Sequence, residues 1–475
     1  MESSGTGLYV FARWLIGLAL GFYFRRIERF HAERIPKTGP VLLTSNHPSS
    51  LNDSFVIGDA VPRKVNFVAT VQLFRFAPLK WLLLRCGVIP INRVRDDPKA
   101  MRSVMDTFEA VFRVLERGEA VAIFPEGITH DDPQLKEVKS GAARMALELE
   151  HRHDGKLGLH ILPVGLTFSA KEIYRSEVLV NFGEPIRVAD FLAGYEERRK
   201  ECIRKLTQEI EVRIQNLMLH LPDLERARVV DAVKRLYLER LRPGNRVVHE
   251  PVERRAEELL LTQAIGKAVE LAFERHPGQA FEFVSKLDFY ERSLKRIRLS
   301  DEALAEFSEG RRLLARNLLR SAFVLLGFPV AIYGWIHRLI PVTLVRYAVT
   351  FTEPSKRKAQ TPHAKMIAGI VCFGICYLIF ALIVHHVFGW PVSLWYALSL
   401  PVTGQVAFYY TRNLRRLKRF VRDTTILFRA PFAARRLLQM RKALIADIES
   451  LRPELRGQLQ QHSKAESVCS PSGSA

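Results

Sequence analysis

The sequence predicts a layered α/β domain, followed by a helical region and then by membrane helices, and three observations carry that prediction. Between Arg34 and Asp190 short apolar runs alternate with amphipathic helical patterns, as they do in layered α/β domains. From Phe191 to about Arg320 the chain is charged, helical in pattern and poor in strand signals. Met366 to Phe388 is an uninterrupted apolar run, long enough at ~1.5 Å per residue to cross ~30 Å of hydrocarbon. The length of 475 residues also exceeds what one core of ~100–200 residues usually holds.

In chain order, residues 1–33 are expected to be a retained N-terminal anchor or interfacial helix. The stretch Gly7 to Phe24 holds Arg13, lacks a basic start, and runs into Arg25-Arg26 rather than a small-residue cleavage site. The α/β domain is placed at 34–190, with strands at Val41–Ser45, Asn66–Thr70, Val88–Ile91, Ala120–Phe124, Ile161–Phe168 and Val178–Phe182. Its clearest helix follows Asp96-Asp97, with Pro98 in the first turn, Met101, Val104, Met105, Phe108, Val111, Phe112 and Leu115 on one face, and Gly118 at the end. Residues 191–320 form a helical linker, broken near Pro243-Gly244 and Pro277-Gly278.

The membrane region is placed at 321–410. Met366–Phe388 and Trp390–Tyr410, joined at Gly389, make a spanning hairpin whose ends face one side. Ser321 to Ile336 is broken by Gly327, Pro329 and Gly334 and is short for a crossing. Basic clusters stand before it (Arg311, Arg312, Arg316, Arg320), after it (Arg346, Lys356, Arg357, Lys358, Lys365) and beyond the hairpin (Arg412, Arg415, Arg416, Lys418, Arg419, Arg422). Keeping all three clusters cytoplasmic makes 321–345 dip in and return; three full crossings are the alternative. Residues 411–455 read as a basic amphipathic helix on the cytoplasmic face, or as an intramolecular packing helix, and 456–475 as a polar, mobile tail.

The balance of 71 Lys+Arg against 50 Asp+Glu, net +21, calls for an anionic partner. Because the basic residues crowd beside apolar stretches, that partner is the phospholipid surface and not nucleic acid, for which no zinc-finger, RNP-like or basic-zipper pattern exists. Five scattered cysteines make neither a disulfide framework nor a ligand set. His130, Asp131 and Asp132 have no distant fourth ligand, so no metal is assigned. Without Gly-x-Gly-x-x-Gly or Gly-x₄-Gly-Lys-[Ser/Thr], no nucleotide cofactor is expected.

Two polar segments follow apolar strands directly, where α/β sheets place ligands: Asn46-His47-Pro48-Ser49-Ser50-Leu51-Asn52-Asp53 and Phe124-Pro125-Glu126-Gly127-Ile128-Thr129-His130-Asp131. A histidine with a carboxylate six positions on forms a base and its orienter if the turn between them folds back. Taken singly, these residues serve as well for turns and helix caps. Together, Asn-His-x₄-Asp and Phe-Pro-Glu-Gly resemble the phospholipid/glycerol acyltransferase family. Two further blocks agree with it, Gly87-Val88-Ile89-Pro90-Ile91-Asn92-Arg93 and Ile161-Leu162-Pro163-Val164-Gly165. The run Gly-x-Thr-His-Asp, followed by Lys139-Ser140-Gly141, is similar to the glycerol-3-phosphate/dihydroxyacetone-phosphate branch, whose members carry C-terminal membrane helices.

The resemblance implies a glycerolphosphate-acyltransferase-like layered sheet with flanking helices. It also implies a membrane-bound enzyme that moves a fatty acyl group from acyl-CoA or acyl carrier protein to glycerol 3-phosphate or dihydroxyacetone phosphate. Within it His47 is the base and Asp53 its orienter, Arg93 and, more weakly, Lys139 bind the acceptor phosphate, and Glu126 and Gly127 bind the acceptor. Electrostatics turns Glu126 away from a phosphate dianion and toward an acceptor hydroxyl or Arg93, while Asn46 and Pro125 shape the loops. The acylation of lysophosphatidate is the nearest alternative, and a non-catalytic lipid-binding scaffold is an alternative of another class. The expected location is a bacterial inner membrane or the endoplasmic reticulum, with the catalytic domain on the cytoplasmic face.

Overall fold

A computed structural model of the chain describes residues 3–91, 101–129, 134–169, 173–218, 224–241, 251–309, 311–352 and 361–468. They fall into two compact units, one built mainly from the first 221 residues and one mainly from residue 222 onward.

The first unit begins with helix α1 (Ser3–Tyr23) and strand β1 (Arg26–Phe30). It continues through β2 (Val41–Ser45), α2 (Leu51–Ala60), β3 (Val65–Thr70), α3 (Ala77–Arg85), β4 (Ile89–Ile91), α4 (Met101–Glu116) and β5 (Ala120–Ile123). It closes with α5 (Gly141–Arg152), β6 (His160–Phe168), β7 (Glu177–Phe182), β8 (Ile186–Arg187) and α6 (Arg199–Leu217). The strands form one sheet in the order β1-β7-β6-β2-β5-β3-β4, with β8 also paired to β6. All neighbours are parallel except β6 with β7 and β6 with β8.

Period-2 alternation divides the central strands between two cores. Leu42, Val121 and Ile161 face Phe112, Leu115, Leu147 and Ile210 of α4, α5 and α6. Val41, Leu43, Ala122 and Leu162 face Leu20, Val56 and Ile57 of α1 and α2. The result is a sheet covered by helices on both faces, with the site-bearing strands β2 and β5 in the middle.

The six expected strands are β2 to β7, and two strands were not expected. β1 reads Arg-Ile-Glu-Arg-Phe, a charged edge strand whose polarity hides it; β8 has only two residues. Strand β1 and helix α6 move both domain boundaries. The N-terminal segment 1–33 is not separate from the sheet, because β1 pairs with β7 and Leu20, Tyr23 and Phe24 are buried in its core. At the other end the unit extends past 190, because α6 buries Cys202, Leu206, Ile210 and Ile214 at helical spacing against the sheet.

The second unit is helical: α7 (Leu224–Leu241), α8 (Pro251–Arg275), α9 (Pro277–Ile297), α10 (Asp301–Glu309) and α11 (Arg311–Leu326), followed by α12 (Phe328–Thr352), α13 (Thr361–Phe388), α14 (Trp390–Arg429) and α15 (Pro431–Val468). The break expected at Pro243-Gly244 lies outside the described residues. Phe328–Thr350 and Ala364–Phe388 are long and apolar enough to cross a membrane.

Three expectations for this unit change. The chain does not turn back within 321–345: it breaks at Gly327, and α12 then runs without interruption. Gly334 is not a breaker there, because it lets α12 approach the Thr403 carbonyl of α14 so closely that no Cβ would fit. The single helix expected over 411–455 is two, with a break at Ala430. Leu437, Leu444 and Ile445 of α15 are buried, and Asp447 and Arg441 bond to Lys286 and Asp301, so α15 packs within the unit. The tail expected from 456 is helical to Val468, and 469–475 lie outside the described residues.

Candidate active site

Strands β2 and β5 are parallel neighbours, with Thr44 opposite Ile123, so the segments leaving their carboxyl ends emerge at one edge of the sheet. Asn46 fixes the first exit. Its buried amide donates to the Leu166 carbonyl at 2.9 Å and accepts from the Leu166 N–H at 2.7 Å, clamping the end of β2 to β6.

His47 follows, and three contacts orient it. Its backbone N–H donates to Glu126 Oε1 at 2.8 Å, its Nδ1 lies 2.9 Å from Asp53 Oδ2, and its ring stacks on Phe124 with centroids 3.9 Å apart at 16°. Asp53 returns to His47 because Ser50 adopts a left-handed φ of 54°, which turns the chain back into α2. The Ser49 N–H donates to the same Asp53 oxygen at 2.7 Å. The Asp53 side chain is 0% exposed and that of His47 14%. A carboxylate accepts only, so Nδ1 carries the proton and Nε2 is left as the acceptor. The pair can therefore take a proton at Nε2 and hold the imidazolium against a buried negative charge.

Glu126 follows β5 at the same edge of the sheet. It is 1% exposed; Oε1 accepts from His47, and Oε2 accepts from the Lys136 N–H at 2.9 Å. Its carboxylate thus joins the β2 exit to the loop before α5. The turn Phe124–Gly127 closes through the Gly127 N–H to the Phe124 carbonyl at 3.0 Å, with Gly127 at φ +65°. The buried Pro125 accepts from the Lys139 N–H at 3.0 Å. A Cβ at Gly127 would sit 3.0 Å from Lys139 Nζ, so glycine there makes room for that ammonium.

Arg93, His130, Asp131 and Asp132 lie outside the described residues. Among the described residues no group of three or more His, Cys, Asp and Glu side chains is arranged to hold a metal ion. Reasoning from sequence missed Phe124 as the stacking partner of His47. An aromatic residue next to Pro125 at a strand end was the available signal. The Ser49, Lys136 and Leu166 backbone groups left no signal in side-chain identity.

Residues 26–167 match the profile of the Acyltransferase family. An uncharacterised acyltransferase of Schizosaccharomyces pombe is 22% identical over 318 residues, 49% of this chain and 47% of that protein. Glycerol-3-phosphate O-acyltransferase 2 of Saccharomyces cerevisiae is 34% identical over 134 residues, 28% of this chain and 18% of that protein. A 1-acyl-sn-glycerol-3-phosphate acyltransferase of Borreliella burgdorferi is 27% identical over 171 residues, 36% of this chain and 59% of that protein. The chain thus spans less than two thirds of each of these relatives. Over residues 26–167 it carries a domain of the acyltransferase family.

Proposed function

We propose that the protein is a membrane-bound O-acyltransferase of phospholipid synthesis that moves a fatty acyl group from acyl-CoA or acyl carrier protein to glycerol 3-phosphate or dihydroxyacetone phosphate. The observation that carries this reading is the His47 Nδ1–Asp53 Oδ2 contact of 2.9 Å, which leaves Nε2 as the base at the carboxyl edge of the sheet. His47 Nε2 takes the proton of the acceptor hydroxyl as its oxygen attacks the thioester carbonyl. The tetrahedral intermediate then expels the thiolate, which takes the proton back from the imidazolium. Asp53 holds the tautomer before attack and the imidazolium after it. No protein nucleophile is needed, because the acceptor hydroxyl itself attacks. Arg93 offers a bidentate fork for the acceptor phosphate, Lys139 a second cation beside Gly127, and Glu126 fixes the loop that carries His47.

Membrane attachment rests on the apolar helices. Ser393 Oγ donates to the Ala381 carbonyl at 2.7 Å, and Tyr377 OH to the Leu400 carbonyl at 3.5 Å, so α13 and the apolar half of α14 lie side by side as a hairpin. Residues on either side of 311–410 bond to each other, Lys286 to Asp447 at 3.0 Å and Ser300 to Asp423 at 3.2 Å. These contacts, and the two crossings that the α13–α14 hairpin supplies, support the reading that the two sides lie on one face of the membrane. We take that face as cytoplasmic from its basic clusters.

The second reading, acylation of lysophosphatidate, is favoured by the Borreliella burgdorferi relative's name. Labelled acyl transfer by membranes carrying the protein separates the two when glycerol 3-phosphate, dihydroxyacetone phosphate and lysophosphatidate are each offered with acyl-CoA and with acyl carrier protein. Preference for a water-soluble acceptor is the expected result. Preference for lysophosphatidate replaces it with the second reading, and transfer to none of them overturns both.

A further inference from the structure

Helix α3 reads Ala-Pro-Leu-Lys-Trp-Leu-Leu-Leu-Arg, yet none of its residues is buried. Together with Phe76, which precedes it, Leu79, Trp81 and Leu84 are exposed, Phe76 at 66% and Trp81 at 55%. At ~100° per residue these four side chains spread over about 200° of the helix circumference, about twice the stripe that a core-facing helix needs. A rigid protein partner covers one side of a helix, whereas fluid lipid can surround one. At ~1.5 Å per residue α3 is far too short to cross a bilayer, so in lipid it would lie in the head-group layer. Helix α1 touches α3 and adds a second apolar stripe, with Val10, Phe11, Trp14, Leu15 and Leu18 exposed on one side of it.

The charges of these two stretches have one sign. Ser3 to Ile27 holds Arg13, Arg25 and Arg26, and Val65 to Ile91 holds Arg75, Lys80 and Arg85; neither contains an acidic residue. Asp59, which lines the groove beside α1, has its carboxylate engaged by Arg29 at 2.8 Å. Exposed tryptophan and leucine side chains among basic residues match the head-group layer of an anionic leaflet. The position also matters. β3 runs parallel to β5, and β5 to β2, so the chain from Val71 onward leaves the sheet at the carboxyl edge that carries His47 and Glu126. We propose that residues 71–85, with the exposed stripe of α1, are a docking surface for an anionic lipid leaflet that brings the His47 edge of the sheet to the head groups. An acylated product then enters lipid without crossing water. This contact is additional to α13 and α14, and it rests on the reading of the protein as membrane-bound.

The test places the full-length protein in vesicles of dioleoyl phosphatidylcholine, with and without dioleoyl phosphatidylglycerol. The vesicles also contain a phosphatidylcholine with a photoactivated diazirine in its acyl chain, and mass spectrometry of peptides maps where the carbene inserts. Peptides covering 76–85 and 14–25 should carry label. The peptide of α6 that holds Val212, an exposed apolar residue on the helix covering the other face of the sheet, should carry almost none. Phosphatidylglycerol should raise the label on 76–85 about threefold or more, and an equal yield in both vesicles removes the anionic surface as the partner. Trp81→Glu/Leu84→Glu changes only exposed side chains and should lower that label about tenfold. Label on α13 with none on 76–85 overturns the docking surface and leaves the membrane reading intact. Label on neither, from protein that does not float with the vesicles, defeats the membrane reading itself. Equal label on α6 and on 76–85 also overturns the surface, and a stable dimer in detergent that Trp81→Glu/Leu84→Glu dissociates gives the face to a second copy of the chain instead.

Discussion

Asp53 and Glu126 are both buried carboxylates at the same edge of the sheet, yet their partners separate their roles. Asp53 faces the His47 ring and one backbone N–H, whereas Glu126 faces two backbone N–H groups from two loops. Asp53→Asn keeps the volume but removes the charge that stabilises the imidazolium. The rate of acyl transfer should fall by about 10²–10⁴ with little change in the amount of folded protein, measured at matched abundance. Glu126→Gln has one acceptor oxygen for two donors, so an amide nitrogen would face an N–H. The expected cost is about 1–3 kcal/mol of stability, read by thermal unfolding in detergent. Unchanged unfolding with lost transfer would show that Glu126 touches substrate instead. This difference was not legible in the sequence, because a carboxylate bonded to backbone looks the same there as one bonded to ligand. His47 and Asp53 were legible because both are side-chain groups a fixed distance apart after a strand.

At the scale of elements, β2 to β7 could be read because their apolar runs are short and end in turn residues. β1 could not, since three of its five residues are charged. The apolar stripe Cys202, Leu206, Ile210 and Ile214 is present in the sequence of α6, but the many charges around it read as a helical linker. The seam that joins α6 to the sheet depends on Gly165 in β6: a Cβ there would lie 2.4 Å from the Leu217 carbonyl oxygen. Because that neighbour is backbone, Gly165→Ala must push the end of α6 off the sheet, at about 1–3 kcal/mol. Denaturant unfolding of the purified protein should show this loss, and a midpoint equal to wild type would mean that α6 does not bear on β6.

At the scale of the whole molecule, an α/β domain of the acyltransferase family is joined in one chain to helices long and apolar enough to cross a bilayer. The apolar run of α13 was legible because length and hydropathy alone define it. The course of α12 was not, because Gly334 reads as a breaker in sequence and acts as a contact in the fold. If α13 and α14 form a spanning hairpin, the protein stays in the pellet after washing with high salt and with alkaline carbonate, and release by carbonate would leave only surface attachment. The central claim is that His47 is the base of an acyl transfer, and the most direct test compares wild type with His47→Ala in labelled acyl transfer at equal membrane abundance. The account predicts a loss of about 10²–10⁴ in rate with unchanged membrane content; transfer retained within about tenfold of wild type would contradict it.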